Sequence, residues 1–534
     1  MRLDFESLPR VLRSSLRDAD GLPLLFAWLL AGLASLYLIW RCVYPPFIDA
    51  ANVAYTGEVM HDLWRGGSIY GKWYSFRPGA VSHLVFYRAY HYLRYIFDPV
   101  TCIKVLSSVG VLTLPAAMYG LLRSMKLSVW LGIPAFALAF NTNLNMGYLP
   151  FVIGIPLIPL ALTLIERNTE DSRRWRWALL LVIVLVSPWV HLFLSAILIP
   201  IVILWSILSL TGRRRLWFLG AVMGMTALLL IVLLPRGPIP RFRDVFQFVP
   251  YAEHWDLFDR DVIQWTLDGA AALSFPWLLL AFASSLVLTR GSPSTERGLR
   301  ALRAPILALA LFLVYLLGPT YISWPEPAWG FGTRVGIALA LVLPLVASTS
   351  AVGWLRFAQY SPWVAFGFWH LGALVGPFDA YDTATRPMAQ LLSSVPKHSK
   401  VLPVYGTEWM KDPARFSFGG FTGFAFRHVG KWLAVETQSY QPWSFCDAGY
   451  HPIRCTLHLA ASRDQKISGI NPVMLGNYDF VLVQDNESEV QRQLASLPLA
   501  LVRRVGQWSL WRPQIAASTS MSPGSNPFGI ERQH

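Results

Sequence analysis

The chain has 534 residues, of which 54% are apolar and only 14% charged, and its mean hydropathy is +0.42. That balance excludes a string of soluble domains, because too few charges remain to solvate so large a surface. The formal charge of +14 does not call for nucleic acid, since the basic residues sit mostly in short loops between apolar runs.

Residues 1–20 carry mixed charge, and the apolar run after Gly21, LPLLFAWLLAGLASLYLIW, is long and lacks a small-residue cleavage site. It reads as an uncleaved first span rather than a signal peptide. Crossing the hydrocarbon takes about 20 apolar residues. By that measure about eleven spans follow in order, at 21–43, 99–122, 127–143, 146–166, 175–190, 191–211, 215–235, 268–289, 304–322, 334–353 and 361–377. Arg123, Lys126, Arg167, Arg173, Arg174, Arg176, Arg213 to Arg215, Arg290, Arg297, Arg300 and Arg303 fall in loops on one side. The alternating loops NTNLN, SPWV and GPTYISWPEPAWGFG hold no Lys or Arg. The positive-inside rule then puts the N-terminus in the cytoplasm and the C-terminus outside, as in a bacterial inner membrane.

Between the first two spans, residues 44–98 make a first outer loop. Within it, 80–97 could be counted as another span, which would invert every later loop. On a helical wheel, however, Val81, Val85, Phe86, Ala89, Tyr90, Leu93, Ile96 and Phe97 share one half, and His83, Arg88, His91 and Arg94 the other. That is the pattern of a helix lying in the interface. Residues 50–65 behave alike, with Val53, Met60, Leu63 and Trp64 opposite Glu58, His61 and Asp62.

After about residue 378 the composition changes. KHSKVLPVYG, NYDFVLVQDNESEVQRQL and ALVRRVGQWSLWRP read as short strands with an intervening helix, an α/β domain over 378–514. The last segment, 515–534, has the composition of a disordered tail. Cys446 and Cys455 are spaced to form one disulfide if this region is extracytoplasmic, and Cys42 with Cys102, at the outer ends of spans one and two, admits a second.

Asp49 stands directly after the first span, at the start of an interfacial helix. An aspartate there is also a preferred N-cap. The order of first span, outer loop opening on a carboxylate (PPFIDAANVAYTGEVM), two interfacial helices, the loop FNTNLNMGYLPFVIG and further spans resembles the GT-C superfamily of membrane glycosyltransferases, best over 21–235. The C-terminal VPKHSKVLPVYG and NYDFVLVQDNE look like the soluble domains appended to bacterial members.

The resemblance implies a GT-C-like helical membrane domain over 21–377. It also implies a polyprenyl-phosphate-linked sugar donor, a glycan, lipid or protein acceptor, and Asp49 as the base that takes the acceptor's proton. The lipid phosphate leaving group calls for cations at the outer interface. Arg334 is a candidate, with snorkelling as the alternative, and Arg236, Arg241 and Arg243 are others, with headgroup contact as theirs. His191 is intramembrane and ionisable, a site residue or a helix-packing one. Asn141, Asn143 and Asn145 can bind sugar hydroxyls or shape a turn. Family members often carry a second acidic residue in a later outer loop, where this chain has NTNLN. Glu58 and Asp62 can stand in, or be solvated helix residues. Glu253, His254, Asp256, Asp259 and Asp261 form an acidic cluster that could hold a divalent cation, Mg or Mn, or be an exposed loop. No other cofactor is called for. His428, His451 and His458 are scattered and read as surface residues. A transporter or flippase for a lipid-linked substrate, and a non-catalytic scaffold of polysaccharide assembly, are the alternatives to an enzyme.

Overall fold

The computed structural model describes residues 21–77, 82–233, 245–247, 279–283, 302–319, 321–322, 328–329, 331–346, 354–405, 428–441, 452–456, 470–484 and 488–514. The first apolar run forms α1 (Gly21–Trp40). Beyond Pro45 and Pro46, which cannot continue a helix, the chain enters α2 (Ala50–Trp64), then β1 (Tyr74–Phe76) and α3 (Leu84–Leu93). The long helix α4 (Pro99–Ser124) follows, opened by an Asp98 side chain that accepts from the Thr101 amide at 2.9 Å. Both helices expected in the first outer loop are therefore present.

Their surroundings differ from expectation. Every residue of α2 from Ala50 to Asp62 is buried, including Glu58, His61 and Asp62. Its polar face meets other protein groups instead of water. Glu58 is 3% exposed and ion-paired with Arg94, whose Nη2 lies 3.2 Å from Oε2, while the Tyr90 hydroxyl donates to Oε1 at 2.9 Å. Asp62 accepts from the amides of Ile69 and Tyr70 at 3.0 and 2.6 Å. A hydropathy wheel registers that a face is polar, and not whether other polar groups cover it.

The expected span at 127–143 is not one continuous helix. A 3-10 turn at Val129–Gly132 precedes α5 (Pro134–Ala139) and the four-residue α6 (Thr142–Asn145). Pro134 opens α5, and the Asn141 side chain caps α6 by accepting from the Asn143 amide at 2.8 Å, so two local signals break an apolar run. The next span divides at Ile155 and Pro156 into α7 (Leu149–Gly154) and α8 (Leu157–Glu170). Helices α9 (Arg174–Val190) and α10 (Leu192–Ser209) are joined by the single extended residue His191, at φ −166° and ψ 127°. Then come α11 (Gly212–Leu233), α12 (Arg303–Leu317), α13 (Phe331–Val346), α14 (Trp354–Ala373) and α15 (Val375–Ala389). The short strands β2 (Phe246–Gln247), β3 (Tyr321–Ile322) and β4 (Ala328–Trp329) pair antiparallel in that order.

Among the described residues, five helical stretches are long and apolar enough to cross a membrane: Gly21–Trp40, Pro99–Ser124, Leu149–Glu170, Leu192–Ser209 and Gly212–Ile231. Apolar side chains such as Leu22, Phe26 and Leu33 on α1 and Leu216 and Ile231 on α11 face outward uncovered, as lipid-facing residues do. The chain is a multi-pass membrane protein. Near the opposite end of the bundle from α2, Glu166 of α8 binds Arg303 of α12 at 3.2 Å and accepts from Trp205 Nε1 of α10 at 2.7 Å, joining three helices.

The composition change near 378 falls inside α15, which is tied to the end of α1: Asp382 accepts from the Val43 amide at 2.5 Å, and Asp379 pairs with Arg41. Beyond α15 lies a four-stranded sheet of β5 (Val401–Tyr405), β7 (Phe480–Gln484), β8 (Leu499–Val505) and β9 (Trp508–Pro513), in the order β5-β7-β9-β8. β5 and β7 run parallel, with Val401 opposite Phe480, and the other pairs are antiparallel. Gly506, at φ +58°, supplies the left-handed residue of the tight β8–β9 turn. Helix α16 (Lys431–Thr437), strand β6 (Ile453–Cys455), α17 (Pro472–Leu475) and α18 (Ser488–Ala495) complete this part.

β6 does not join that sheet. It pairs antiparallel with β1 of the segment between α1 and α4, Tyr74 opposite Cys455. Cys455 is disulfide-bonded; Cys446 lies outside the described residues. Cys42 and Cys102 do not form a second bridge: both are free, with thiols directed at the carbonyls of Phe378 and Phe97. Residues 1–20 and 515–534, and most of the expected span 268–289, also lie outside the described residues.

Candidate functional site

Asp49 immediately precedes α2, yet its carboxylate makes no capping hydrogen bond to that helix. The N-cap expectation is therefore not met. Asp49 Oδ1 lies instead 3.2 Å from Nε2 of His428, with the side chains 14% and 4% exposed. The backbone around it is fixed from the other side: the amides of Ile48 and Asp49 donate to the carbonyls of Asn145 and Met146 at 2.9 and 3.1 Å. The loop that follows α6 is thus stitched to the residue pair that opens α2.

Gly147 makes that contact feasible. It has φ +84°, and an added Cβ would stand 2.6 Å from the Asp49 nitrogen. Both the left-handed backbone and the close approach require glycine. The next residue, Tyr148, lies within electrostatic range of both Asp49 and Arg334. Its ring sits 4.6 Å from the Arg334 guanidinium carbon.

Arg334 is in the first turn of α13 and only 5% exposed. The snorkelling alternative fails, because the guanidinium points among the rings of Tyr148, Phe151 and Phe193, with the latter two at 5.5 and 4.9 Å. Stacking of this kind suits a planar, weakly hydrated cation. Two histidines share the region. The His83 and His191 rings are 4.7 Å apart, and His191 also packs on Phe151.

His191 Nδ1 accepts from the Phe193 amide at 3.1 Å, so the neutral ring carries its proton on Nε2. His83 has φ +68°, a left-handed conformation unusual for a residue with a side chain. The neighbouring Ser82 hydroxyl accepts from the Leu192 amide at 3.3 Å, which docks the start of α3 on the α9–α10 break. Burial, reinforced by the charge of Arg334, pushes the His83 pKa down to about 3.

Asn141 and Asn143 are buried and turned into the protein. Asn143 Nδ2 donates to Thr333 O at 3.0 Å and to Asn141 Oδ1 at 3.1 Å, and the Thr333 hydroxyl donates to Asn143 Oδ1 at 3.1 Å. The pair therefore ties the loop behind Asp49 to the residue before Arg334. Glu58, held by Arg94 and Tyr90, belongs to the α2–α3 contact.

Arg236, Arg241, Arg243, Glu253, His254, Asp256, Asp259 and Asp261 lie outside the described residues, as do His451 and His458. Among the described residues no group of three or more His, Cys, Asp or Glu side chains is arranged to hold a metal ion. His428, read from sequence as a surface residue, is buried against Asp49. No local sequence signal marks that contact; only the docking of α16 creates it. The arrangement joins a half-buried carboxylate to a buried cation with two histidines through the turn at 147–148.

No protein-family profile and no curated protein matches the chain. Among solved structures it is similar to the cryo-EM structure of the arabinofuranosyltransferase AftD from mycobacteria, with 13% identity over 92% of this chain and a TM-score of 0.49. The chain spans 40% of the length of that protein. A likeness of this degree assigns neither a fold family nor an activity.

Proposed function

We propose that the chain is a GT-C-type glycosyltransferase that takes a sugar from a polyprenyl-phosphate donor and passes it to a hydroxyl of a glycan, lipid or protein acceptor on the outer face of the membrane. Asp49 is the general base. The acceptor oxygen attacks the anomeric carbon from the face opposite the phosphate, its proton goes to the Asp49 carboxylate, and the carbon–oxygen bond to the phosphate breaks. The sugar is inverted, and polyprenyl phosphate leaves.

Arg334 carries the charge that holds that phosphate, with His191 Nε2–H as a further donor. Burial and Arg334 hold the His83 pKa down; a bound phosphate would raise its proton affinity again and recruit it.

One observation supports this reading above the rest. Consecutive residues, Gly147 packed on Asp49 and Tyr148 stacked on Arg334, join the carboxylate to the cation. A base and an anion site joined by one turn suit a displacement in which one substrate loses a proton while the other loses a phosphate.

The test is mass spectrometry of lipid-linked sugars and envelope glycans in a strain lacking the chain. Accumulation of one polyprenyl-phosphate sugar, with loss of that sugar from the envelope, is expected. Unchanged pools of every such lipid, or a requirement for a nucleotide sugar instead, would refute the proposal.

A further inference from the structure

The contact between Asp49 and His428 comes from two parts of the chain that meet only because the C-terminal part docks on the first outer loop. The docking is extensive around Asp49. Tyr44 stacks on Trp432 with centroids 5.4 Å apart and donates its hydroxyl to Glu436 at 2.6 Å. One turn into α2, Asn52 accepts from the buried Lys431 ammonium. The Tyr55 hydroxyl accepts from the Gln441 amide at 3.1 Å and lies 3.2 Å from the Tyr74 hydroxyl. The pairing of β1 with β6 closes the far side of the loop. Residues on both sides of Asp49 are thus fastened to the same short helix, α16, and His428 stands three residues before it.

An aspartate before a helix would ordinarily turn its carboxylate onto the first amides of that helix. This one is turned toward an imidazole instead. We infer that His428 is a positioning residue for Asp49, so that the C-terminal domain completes the reaction site rather than standing apart from it. Nε2–H of His428 donates to Oδ1 and sets the rotation of the carboxylate toward the acceptor hydroxyl. Binding of the donor phosphate, assigned to Arg334 and the two histidines, does not involve it. This inference rests on the reading of Asp49 as base.

Two variants of the full-length chain separate positioning from simple support. His428→Phe fills the space without a donor; His428→Gln keeps an N–H near the position of Nε2. Each is expressed in the deletion strain, where the envelope sugar is measured. Each is also purified in detergent, where thermal unfolding and binding of farnesyl phosphate, read by tryptophan fluorescence, are measured.

The expected result is at least a ten-fold loss of envelope sugar for His428→Phe with affinity for farnesyl phosphate within two-fold of the parent, and recovery of at least a third of the sugar by His428→Gln. Full complementation by His428→Phe would overturn the inference. Equal loss in both variants, or loss of farnesyl phosphate binding together with early unfolding, would also overturn it by making the role structural. Asp49→Asn, run in parallel, keeps the two readings distinct. If it is inactive while His428→Phe is fully active, only the positioning role falls; if it is active, the base reading falls first.

Discussion

A Cβ on Gly147 would stand 2.6 Å from the backbone nitrogen of Asp49 and 2.9 Å from its Cβ. The loop and the carboxylate therefore occupy one packed unit. Gly147→Ala meets a left-handed penalty of about 1–2 kcal/mol and must also push Asp49 away. Transfer is expected to fall at least ten-fold while farnesyl phosphate still binds. Thermal unfolding in detergent, measured alongside, will show a smaller change than activity does.

Arg334 is expected to govern donor affinity. Arg334→Met keeps an apolar side chain among Tyr148, Phe151 and Phe193 but removes the charge. The affinity for farnesyl phosphate should drop by about ten-fold or more, since a hydrogen bond to a charged group contributes about 1.5–3 kcal/mol. Titration of tryptophan fluorescence reads it directly. Unchanged affinity would move the phosphate site elsewhere.

Glu58 and Arg94 form a buried pair between α2 and α3. Glu58→Gln strands the arginine, and breaking a buried pair destabilises by about 3–5 kcal/mol. The partial exposure of Arg94 puts the expected value at the low end, about 3 kcal/mol. The double variant Glu58→Gln with Arg94→Met should recover part of that loss, as a double-mutant cycle in thermal unfolding will show.

The His61 and His91 rings pack at a tilt, with centroids 4.8 Å apart, between the same two helices. Burial, then the charges of His91, Arg94 and Arg65, pushes the His61 pKa down to about 4. His91 is lowered too, by burial and then by Arg88 and Arg65. Each therefore holds a proton less readily in the folded protein than in the unfolded chain, where histidine titrates near pH 6.5. The unfolded state thus binds more protons between about pH 6.5 and 4, and stability falls as pH falls through that window. Melting temperatures at pH 7.5, 6 and 5 should decline, and His61→Phe should make the decline shallower.

The sequence made the scaffold of the site legible, and the assembled pieces much less so. The bounds of α2, the presence of a helix at α3 and the position of Asp49 ahead of α2 follow from apolar periodicity and from the two prolines beyond α1. Gly147 and Tyr148 stand inside the loop FNTNLNMGYLPFVIG, but its pattern does not tell that a glycine there faces Asp49. His428 carries no local signal: its role depends on α16 lying along α2, and that arrangement arises from Tyr44, Asn52 and Tyr55 meeting Trp432, Lys431 and Gln441 across the fold. The burial of Glu58 and Asp62 was hidden for the same reason, since polar residues covered by polar partners look like solvated ones in a one-dimensional pattern.

Transfer is expected to depend above all on the carboxylate of Asp49. Asp49→Asn keeps the shape of the side chain and its place beside His428 and Gly147 but removes the base. Measured with polyprenyl-phosphate pentoses and hexoses and octyl glycoside acceptors, the variant should bind donor like the parent and transfer below about one per cent of its rate, within the range of about 10²–10⁴ for loss of a general base. Turnover above a few per cent of the parent rate would contradict the assignment.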